Sequence, residues 1–265
     1  MNTKKELGAK GIKPIKHRGQ NFLISKNIIS KIIAAAQIKP SEIILEVGPG
    51  TGNLTRTLLE VGASVIAVEK DRELTALLKL KMKNEKLRII EGDILKFDES
   101  LIKKPYRIIA NIPYYLTGKL IQKFLLSNDR PVEMILMVQK EVGERIAARP
   151  PKANYLSSLV GFLAKAEILF RVGQENFWPK PKVDSVMVKI VPRPTAAEVD
   201  TNEFIVFLRK IFKQPRQTLF NNLVKNGFSR PTTEKLFQDF NLPKNTRAQT
   251  LSVSELVKMF QSIMV

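Results

Sequence analysis

The tetrapeptide Asn111-Ile112-Pro113-Tyr114 follows an apolar run and carries the most specific chemical signal in the sequence. The exocyclic amine of a nucleobase is a poor nucleophile because its lone pair is delocalised into the ring. The amide oxygen of Asn111 and the carbonyl of Ile112 can accept its two N–H groups, and Tyr114 can hold the ring against an aromatic face. The motif therefore predicts a site that activates a base amine. The alternative is a strand-to-loop turn in which Pro113 fixes the bend and Tyr114 joins the core.

This chemistry needs no general base, because an amine that has attacked a methyl group becomes strongly acidic. The composition agrees, since the chain has no Cys and a single His, His17. Disulfides, thiolate nucleophiles, Cys-ligated metal sites and His clusters are thereby excluded. We expect no metal cofactor.

A glycine-rich segment runs from Glu46 to Thr55 and reads EVGPGTGNLT. Gly48 and Gly50 lie where a strand should end and a helix begin, a turn that lets the backbone approach a ligand closely. A dinucleotide fingerprint would have its last glycine at Asn53, and the carboxylate of Glu46 would repel a pyrophosphate. The segment therefore favours a nucleoside without phosphates.

Acidic residues follow the next two expected strands. Glu69 ends the second strand, where a carboxylate can accept both hydroxyl groups of a ribose. Asp93 follows the third strand, where it can accept from an adenine amino group while Ile94 packs against the ring. Either acid alone could be a strand-end or turn residue. Because the ends of consecutive parallel strands meet in one crevice, the signals together predict a nucleoside site.

The segment Phe177–Ser185 reads FWPKPKVDS and joins two late strands. Its prolines stiffen the loop, so Phe177 could form a second stacking surface while Lys180 and Lys182 lie near phosphates. Phe177 and Trp178 fit equally well as core anchors.

Charge and length limit the class of protein. The 44 Lys and Arg against 25 Asp and Glu leave a net charge of +19 over 265 residues, and 44% hydrophobic content excludes a disordered basic tail. A folded protein with that surplus usually binds a polyanion. No apolar stretch reaches the ~18 residues of a membrane span, and the basic N-terminus lacks the features of a secretory signal. We expect a cytoplasmic protein with no membrane contact.

The candidate residues need a scaffold of parallel strands, and the hydrophobic pattern predicts one. The predicted strands are Glu42–Gly48, Ala63–Glu69, Leu87–Glu91, Tyr106–Asn111, Val132–Gln139, Ala166–Val172 and Val183–Val191. The predicted helices are Ser25–Gln37, Asn53–Gly62, Asp71–Asn84, one from Thr117, and Asn154–Lys165. Repeated strand–helix units mean an α/β fold whose parallel sheet is covered on both faces, with an antiparallel edge from the last two strands.

Beyond Pro192 the strand pattern ends. Four helical segments follow, at about 201–213, 216–226, 232–240 and 252–263. The Pro-rich stretch Pro192–Thr195 is the expected domain boundary. We predict a basic, mobile arm over 1–18, an α/β domain over 19–192 and a helical domain over 195–265.

Positive charge is densest at the N-terminus. Residues 1–40 hold nine Lys or Arg and one acid, whereas residues 192–265 hold eleven and six. The arm enters the fold just before Gln20, so we expect its cations at the mouth of the ligand site. Those cations are Lys10, Lys13, Lys16 and Arg18. The tail contributes Arg209, Lys210, Lys213, Arg216 and Arg247.

These motifs, together with Gln20-Asn21-Phe22-Leu23 and Met137–Glu141, resemble the small-subunit rRNA adenine N6,N6-dimethyltransferase family from Gly19 to Ser252. The resemblance implies a Rossmann-like methyltransferase domain that uses S-adenosylmethionine and a small C-terminal helical domain that contacts RNA. It implies dimethylation at N6 of two adjacent adenines in a hairpin loop near the 3′ end of small-subunit (16S) rRNA, with a role in subunit maturation. The implied partner is that rRNA in an assembling subunit, bound by a monomer.

The resemblance also assigns residues. The implied cofactor-binding residues are Asn21, Leu23, Gly48, Gly50, Glu69, Asp93, Ile94 and Asn111. The implied catalytic residues are Asn111, Ile112, Pro113, Tyr114 and Phe177. Asn21 and Leu23 would close the pocket, Glu69 would hold the ribose, and Asp93 the adenine. Tyr114 and Phe177 would stack the flipped base.

Three alternatives stay open at this point. A large-subunit rRNA adenine methyltransferase of the antibiotic-resistance type shares the motifs and differs in loops. A ribosome-assembly factor would use the charge mainly for RNA binding. A nicotinamide oxidoreductase is disfavoured by Asn53 and by the motif at Asn111. The tail departs from the family around Arg216 and at Gln249, which leaves open how much of the RNA grip it supplies.

Overall fold

The computed structural model describes residues 3–12, 14, 19–103, 105–194 and 199–264. Its chain forms two compact units. The first contains residues 1–143 and 167–192, and the second contains residues 144–166 and 193–265. None of the helices in the described part of the chain is long and apolar enough to cross a membrane.

The helices and strands up to residue 192 reproduce the predicted ones within one or two residues at most ends. The elements in chain order are α1 (Thr3–Ala9), β1 (Phe22–Leu23), α2 (Lys26–Ala36), β2 (Ile43–Val47), α3 (Asn53–Glu60), β3 (Ser64–Glu69), α4 (Arg72–Lys81), β4 (Leu87–Glu91), β5 (Tyr106–Asn111), α5 (Thr117–Leu126), β6 (Glu133–Gln139), α6 (Lys140–Ile146), α7 (Tyr155–Leu163), β7 (Ala164–Val172), β8 (Phe177–Trp178) and β9 (Ser185–Pro192). Of these, α1, β1, α6 and β8 are additional to the predicted elements.

Seven strands form one sheet in the order β4-β3-β2-β5-β6-β9-β7. The pairs from β4 through β6 are parallel, and β9 runs antiparallel to β6. The central strands are buried because helices cover both faces of a parallel sheet. The order reverses at β2, so the chain leaves a crevice at the carboxyl ends of β2 and β5. The predicted α/β, Rossmann-like fold is confirmed.

The predicted basic arm contains a helix that the sequence analysis did not predict, over Thr3–Ala9. The side chain of Leu7 is fully buried in a small cluster with Phe22, Leu74 and Leu77. This apolar contact, which the charge count did not suggest, packs α1 against β1 and α4 within the first unit. Lys13, Lys16, His17 and Arg18 lie outside the described residues. Of the four cations predicted to lie at the mouth of the ligand site, the structure therefore describes Lys10.

The second unit contains the remaining helices. They are α8 (Thr201–Ile211), α9 (Leu219–Lys225), α10 (Arg230–Asp239) and α11 (Val253–Met264). Their apolar faces share one core in which Phe162 packs against Phe204 with ring centroids 4.4 Å apart. This packing groups α7 with the C-terminal helices, whereas the predicted domain division began the helical part at residue 195. That division remains a prediction.

Candidate active site

The ends of β2, β3, β4 and β5 converge on one crevice with two adjoining lobes. Gly48, Glu69 and Pro113 belong to both lobes. The first lobe also contains Asn21, Leu23, Gly50, Asn111, Ile112 and Tyr114. The second adds Asp93 and Ile94. The sequence-predicted site residues are therefore gathered in one place, with the exception of Phe177.

The loop after β2 has the backbone that its glycines predicted. Gly48 and Gly50 adopt left-handed φ angles of 64° and 59°. A Cβ at Gly50 would lie 2.8 Å from the ring of Phe22, so a side chain is excluded there by space as well as by conformation. The bare backbone consequently forms one wall of the crevice.

Glu69 is buried at the end of β3 and holds this loop in place. Its carboxylate accepts from the backbone N–H of Gly50 at 3.1 Å and from that of Asp71 at 2.9 Å. Burial raises the pKa of Glu69 above its usual value. Carboxylate oxygens have further lone pairs, so these two contacts leave acceptor capacity for a ligand hydroxyl.

Asp93 begins a short 3₁₀ turn after β4. One carboxylate oxygen accepts from the backbone N–H of Leu95 at 3.0 Å, and the other binds Lys70 Nζ at 2.8 Å. The hydrogen bond from Lys70 holds the pKa of Asp93 below its usual value. The neighbouring Ile94 is buried and adds an apolar surface to the second lobe.

Asn111 ends β5, and its side chain is oriented by the N-terminal segment. Its Nδ2 donates to the carbonyl oxygen of Asn21 at 3.0 Å. Because the amide nitrogen is engaged as a donor, Oδ1 is left as the acceptor that a base amine requires. Asn21 is therefore a partner of Asn111 through its main chain, while its own Nδ2 donates to Gly19 at 3.3 Å.

Leu23 closes one side of the crevice from a small second sheet. It pairs with Phe177 in the antiparallel β1–β8 ribbon, and its carbonyl accepts from Asn53 Nδ2 at 2.8 Å. Asn53, which replaces the last glycine of a dinucleotide fingerprint, thus fastens the glycine loop to β1. Sequence spacing gave no sign of this link.

The residues after Asn111 form a short turn. Ile112 is buried, and Pro113 lies between the two lobes. The Tyr114 hydroxyl is 2.9 Å from Oγ of the fully buried Ser185 at the start of β9. Burial raises the pKa of Tyr114 above its usual value.

Phe177 is not among the described residues that line the crevice. Its side chain is 3% exposed and packs in the core of the first unit with Leu23 and Met187. Of the two interpretations that the sequence left open, the structure shows the core anchor. A stacking role would require the ring to leave this packing.

Glu46 lines the crevice, whereas the sequence predicted for it only that its carboxylate would repel a pyrophosphate. It is 2% exposed, lines the first lobe, and its Oε2 has no hydrogen-bond partner among the described residues. Burial, reinforced by the nearby Glu69 carboxylate, raises the pKa of Glu46 to about 8. An unpartnered buried carboxylate oxygen facing a crevice is a site for a cationic or hydrogen-bonding ligand group.

Sequence reasoning also missed three supporting residues. Asp71 caps α4 and positions Glu69, Lys70 pairs with Asp93, and Ser185 binds Tyr114. Asp71 and Lys70 adjoin Glu69 in the chain and could have been suspected. Ser185 is far from Tyr114 in sequence and could not. Within the described ranges, no group of three or more His, Asp or Glu side chains could hold a metal ion.

A Rossmann-like sheet with this crevice at its strand ends defines the class as an α/β protein that binds its ligand at the ends of the parallel strands. The chain matches the family model "Ribosomal RNA adenine dimethylase" over residues 13–264 and belongs to that family. It is therefore an rRNA adenine dimethyltransferase, and the family resemblance read from the motifs is confirmed.

Relatives in sequence and solved structures agree with this family assignment. Ribosomal RNA small subunit methyltransferase A of Moorella thermoacetica is 34% identical, covering 96% of this chain and 94% of its own. The protein of the same name from Mesomycoplasma hyopneumoniae is 39% identical, covering 93% and 95%. The crystal structure of a dimethyladenosine transferase from Plasmodium falciparum has a TM-score of 0.76 and 29% identity, covering 90% and 95%. The crystal structure of the 23S rRNA methyltransferase ErmE has a TM-score of 0.71 and shares the fold. It is 20% identical, and the match covers 92% of this chain and 100% of that one.

Proposed function

We propose that this protein transfers methyl groups from S-adenosylmethionine to N6 of two adjacent adenines near the 3′ end of small-subunit rRNA. The observation that carries the proposal is the Asn111–Asn21 hydrogen bond, which leaves the Asn111 amide oxygen as an acceptor beside the glycine loop. The relatives that carry the small-subunit name support the choice of RNA.

The residues of the crevice fit S-adenosylmethionine on two independent grounds. Glu46 Oε2 is an orphaned buried acceptor, which suits an ammonium group better than a phosphate. The Gly48–Gly50 backbone offers a wall without side chains, and a Cβ at Gly50 would clash with the ring of Phe22. Glu69 would hold the ribose hydroxyls, while Asp93 and Ile94 would receive the adenine. Leu23 would close the pocket.

The cofactor supplies an electrophilic methyl group attached to a sulfonium. The protein's task is to hold an extruded adenine so that its amine lone pair faces that carbon. Asn111 Oδ1 and the Ile112 carbonyl would accept the two N–H groups, and the Tyr114 ring would hold the base. The proton lost after attack needs no protein base, because the alkylated amine is strongly acidic. Phe177 would reach the base only if its loop shifted out of the core.

We also propose that the protein acts as a monomer, in the cytoplasm, on RNA within an assembling small subunit. The net charge of +19 supports an RNA partner.

The proposal is tested by incubating the protein with labelled S-adenosylmethionine and separately purified ribosomal subunits, followed by nucleoside analysis. We expect label in dimethyladenosine of the small-subunit rRNA. Large-subunit RNA is included because ErmE, a 23S rRNA methyltransferase, shares the fold. Label confined to that RNA would contradict the choice of substrate. Binding of NAD with no response to S-adenosylmethionine would contradict the cofactor.

A further inference from the structure

The second unit contains a cleft of about 260 Å³ that lies entirely within it. Its walls come from residues 146–153, from α7, from the start of β7 and from residues 251–253. Three cationic residues line it, and they are Arg149, Lys165 and Arg193. Among the described residues that line this cleft, none has an acidic side chain. The local charge therefore favours an anion.

A buried hydroxyl in the same cleft lacks a partner. Ser158 on α7 is 1% exposed, lines the cleft, and its Oγ makes no hydrogen bond within the described part of the chain. The adjacent Ser157 is satisfied, because its Oγ accepts from the Asn154 backbone N–H in a capping box and donates to the Asn154 carbonyl. A buried hydroxyl left unpaired costs free energy, so Ser158 is best explained by a ligand that accepts from it.

Small residues shape the rest of the wall. They are Ala147, Ala148, Ala153, Gly161, Ala164 and Ala166. Side chains of this size let a bulky tetrahedral anion approach the main chain, which longer residues would prevent. Arg193 is held at the cleft wall by a hydrogen bond from Nη2 to the Ala164 carbonyl at 2.9 Å.

Three acids, Glu144, Glu167 and Glu255, lie within two residues of the cleft wall in sequence and do not line the cleft. Glu255 is engaged by Ser252, whose backbone N–H and Oγ lie 2.7 Å and 2.6 Å from its carboxylate. These hydrogen bonds hold the pKa of Glu255 below its usual value and satisfy the carboxylate locally.

We propose that this cleft binds a backbone phosphate of the RNA substrate, contacted by Arg149, Lys165 and the Ser158 hydroxyl. The inference rests on the proposed function for the identity of the polyanion. It adds a phosphate-binding site in the second unit, separate from the crevice at the strand ends. A phosphate contact of this kind fixes the position of the RNA without reading its sequence.

The test compares RNA binding by the full-length protein across a range of salt concentrations, with purified small-subunit rRNA as the probe. The variant Arg149→Gln/Lys165→Gln removes two cations of the cleft. The matched control, Lys225→Gln/Lys235→Gln, removes two exposed cations of the same unit that do not line it. Loss of one phosphate contact should lower the log–log salt slope by about 0.7 to 0.9 in the cleft variant, and we expect less than half that change in the control. Equal slopes in the two variants would overturn the proposal.

The variant Ser158→Ala supplies a second test. A purely structural role of Ser158 would leave RNA affinity unchanged. We expect RNA affinity to fall about three- to tenfold, with the melting temperature unchanged or higher because an unpaired buried hydroxyl has been removed. Unchanged RNA affinity would contradict the role of the hydroxyl.

Methylation by the wild-type protein is measured in parallel. It distinguishes failure of the phosphate site from failure of the proposed function. If it methylates small subunits and both cleft variants bind RNA normally, the phosphate site is wrong and the proposed function stands. If it methylates no RNA, the proposed function is wrong, and the salt slopes still decide whether the cleft binds phosphate.

Discussion

The side-chain nitrogen of Asn111 donates a hydrogen bond to the main-chain carbonyl of Asn21 at 3.0 Å, joining two positions 90 residues apart in the chain. The contact determines which end of the Asn111 amide is available to a ligand. It also couples the N-terminal segment, which carries Leu23, to the end of β5. The site is therefore complete only when the segment before α2 is in place.

Replacing Asn111 by Ala should lower turnover more than RNA binding. The variant loses the acceptor for the base amine and leaves the Asn21 carbonyl without its donor, so we expect kcat to fall about 10- to 100-fold. Binding of rRNA should change less than about twofold, because most affinity comes from phosphates. Single-turnover methylation and RNA titration measure the two effects. An equal loss in both would contradict a role in handling the base.

Glu69→Ala should weaken S-adenosylmethionine binding about 10- to 100-fold, as expected for the loss of a charged acceptor worth roughly 1.5–3 kcal/mol. Release of the Gly50 backbone N–H acts in the same direction. Glu91→Ala is the matched control, because Glu91 is the register partner of Glu69 on β4 and is exposed. Calorimetry that gives the same affinity for both variants would exclude the ribose contact.

Tyr114→Phe should retain most activity and lose stability. Stacking needs the ring, whereas the hydroxyl is bonded to the fully buried Ser185. Leaving that serine unsatisfied should cost about 1–2 kcal/mol in the free energy of unfolding.

The double variant Tyr114→Phe/Ser185→Ala is the control for this hydrogen bond. It should recover part of the lost stability in urea denaturation, because no buried hydroxyl is then left without a partner. If Tyr114→Phe abolishes turnover as completely as Tyr114→Ala does, the hydroxyl itself takes part in the chemistry.

The stability of the cofactor-free protein should decrease with rising pH because of Glu46. Its pKa is about 8 in the folded state against 4.5 for an ordinary glutamate, so between these values the folded chain keeps a proton that the unfolded chain has lost. Folding therefore binds a proton at Glu46. The contribution of this proton to the free energy of unfolding declines as pH rises towards 8. Glu46→Gln, which stays neutral, should show a flatter dependence in urea denaturation from about pH 5 to about pH 8. Parallel curves for the two proteins would show that Glu46 is ionised in the fold.

Phe177→Leu distinguishes the packing role from the stacking role. Leucine keeps most of the apolar volume, so we expect a stability loss of less than about 1.5 kcal/mol, against about 3–5 kcal/mol for Phe177→Ala. If the ring stacks on the base during the reaction, Phe177→Leu should lower kcat about tenfold with S-adenosylmethionine affinity unchanged. Normal kcat in this variant would restrict Phe177 to the core.

The sequence alone predicted most of the strands and helices in their order along the chain, and the crevice at the strand ends. It could do so because both rest on local information. Hydrophobic periodicity marks β2 to β6, and a parallel sheet brings consecutive strand ends to one edge whatever the side chains are. Gly50 was recognisable for the same reason, since its left-handed backbone is a local requirement.

Tertiary structure decided the contacts between positions distant in the chain. The Asn111–Asn21 hydrogen bond, the Tyr114–Ser185 pair and the unpartnered oxygen of Glu46 have no periodic signal, because each depends on how separate elements meet. Phe177 shows the same limit. An aromatic residue in a proline-rich loop suits a binding surface or a core equally well, and only the packing of β8 against β1 places it in the core.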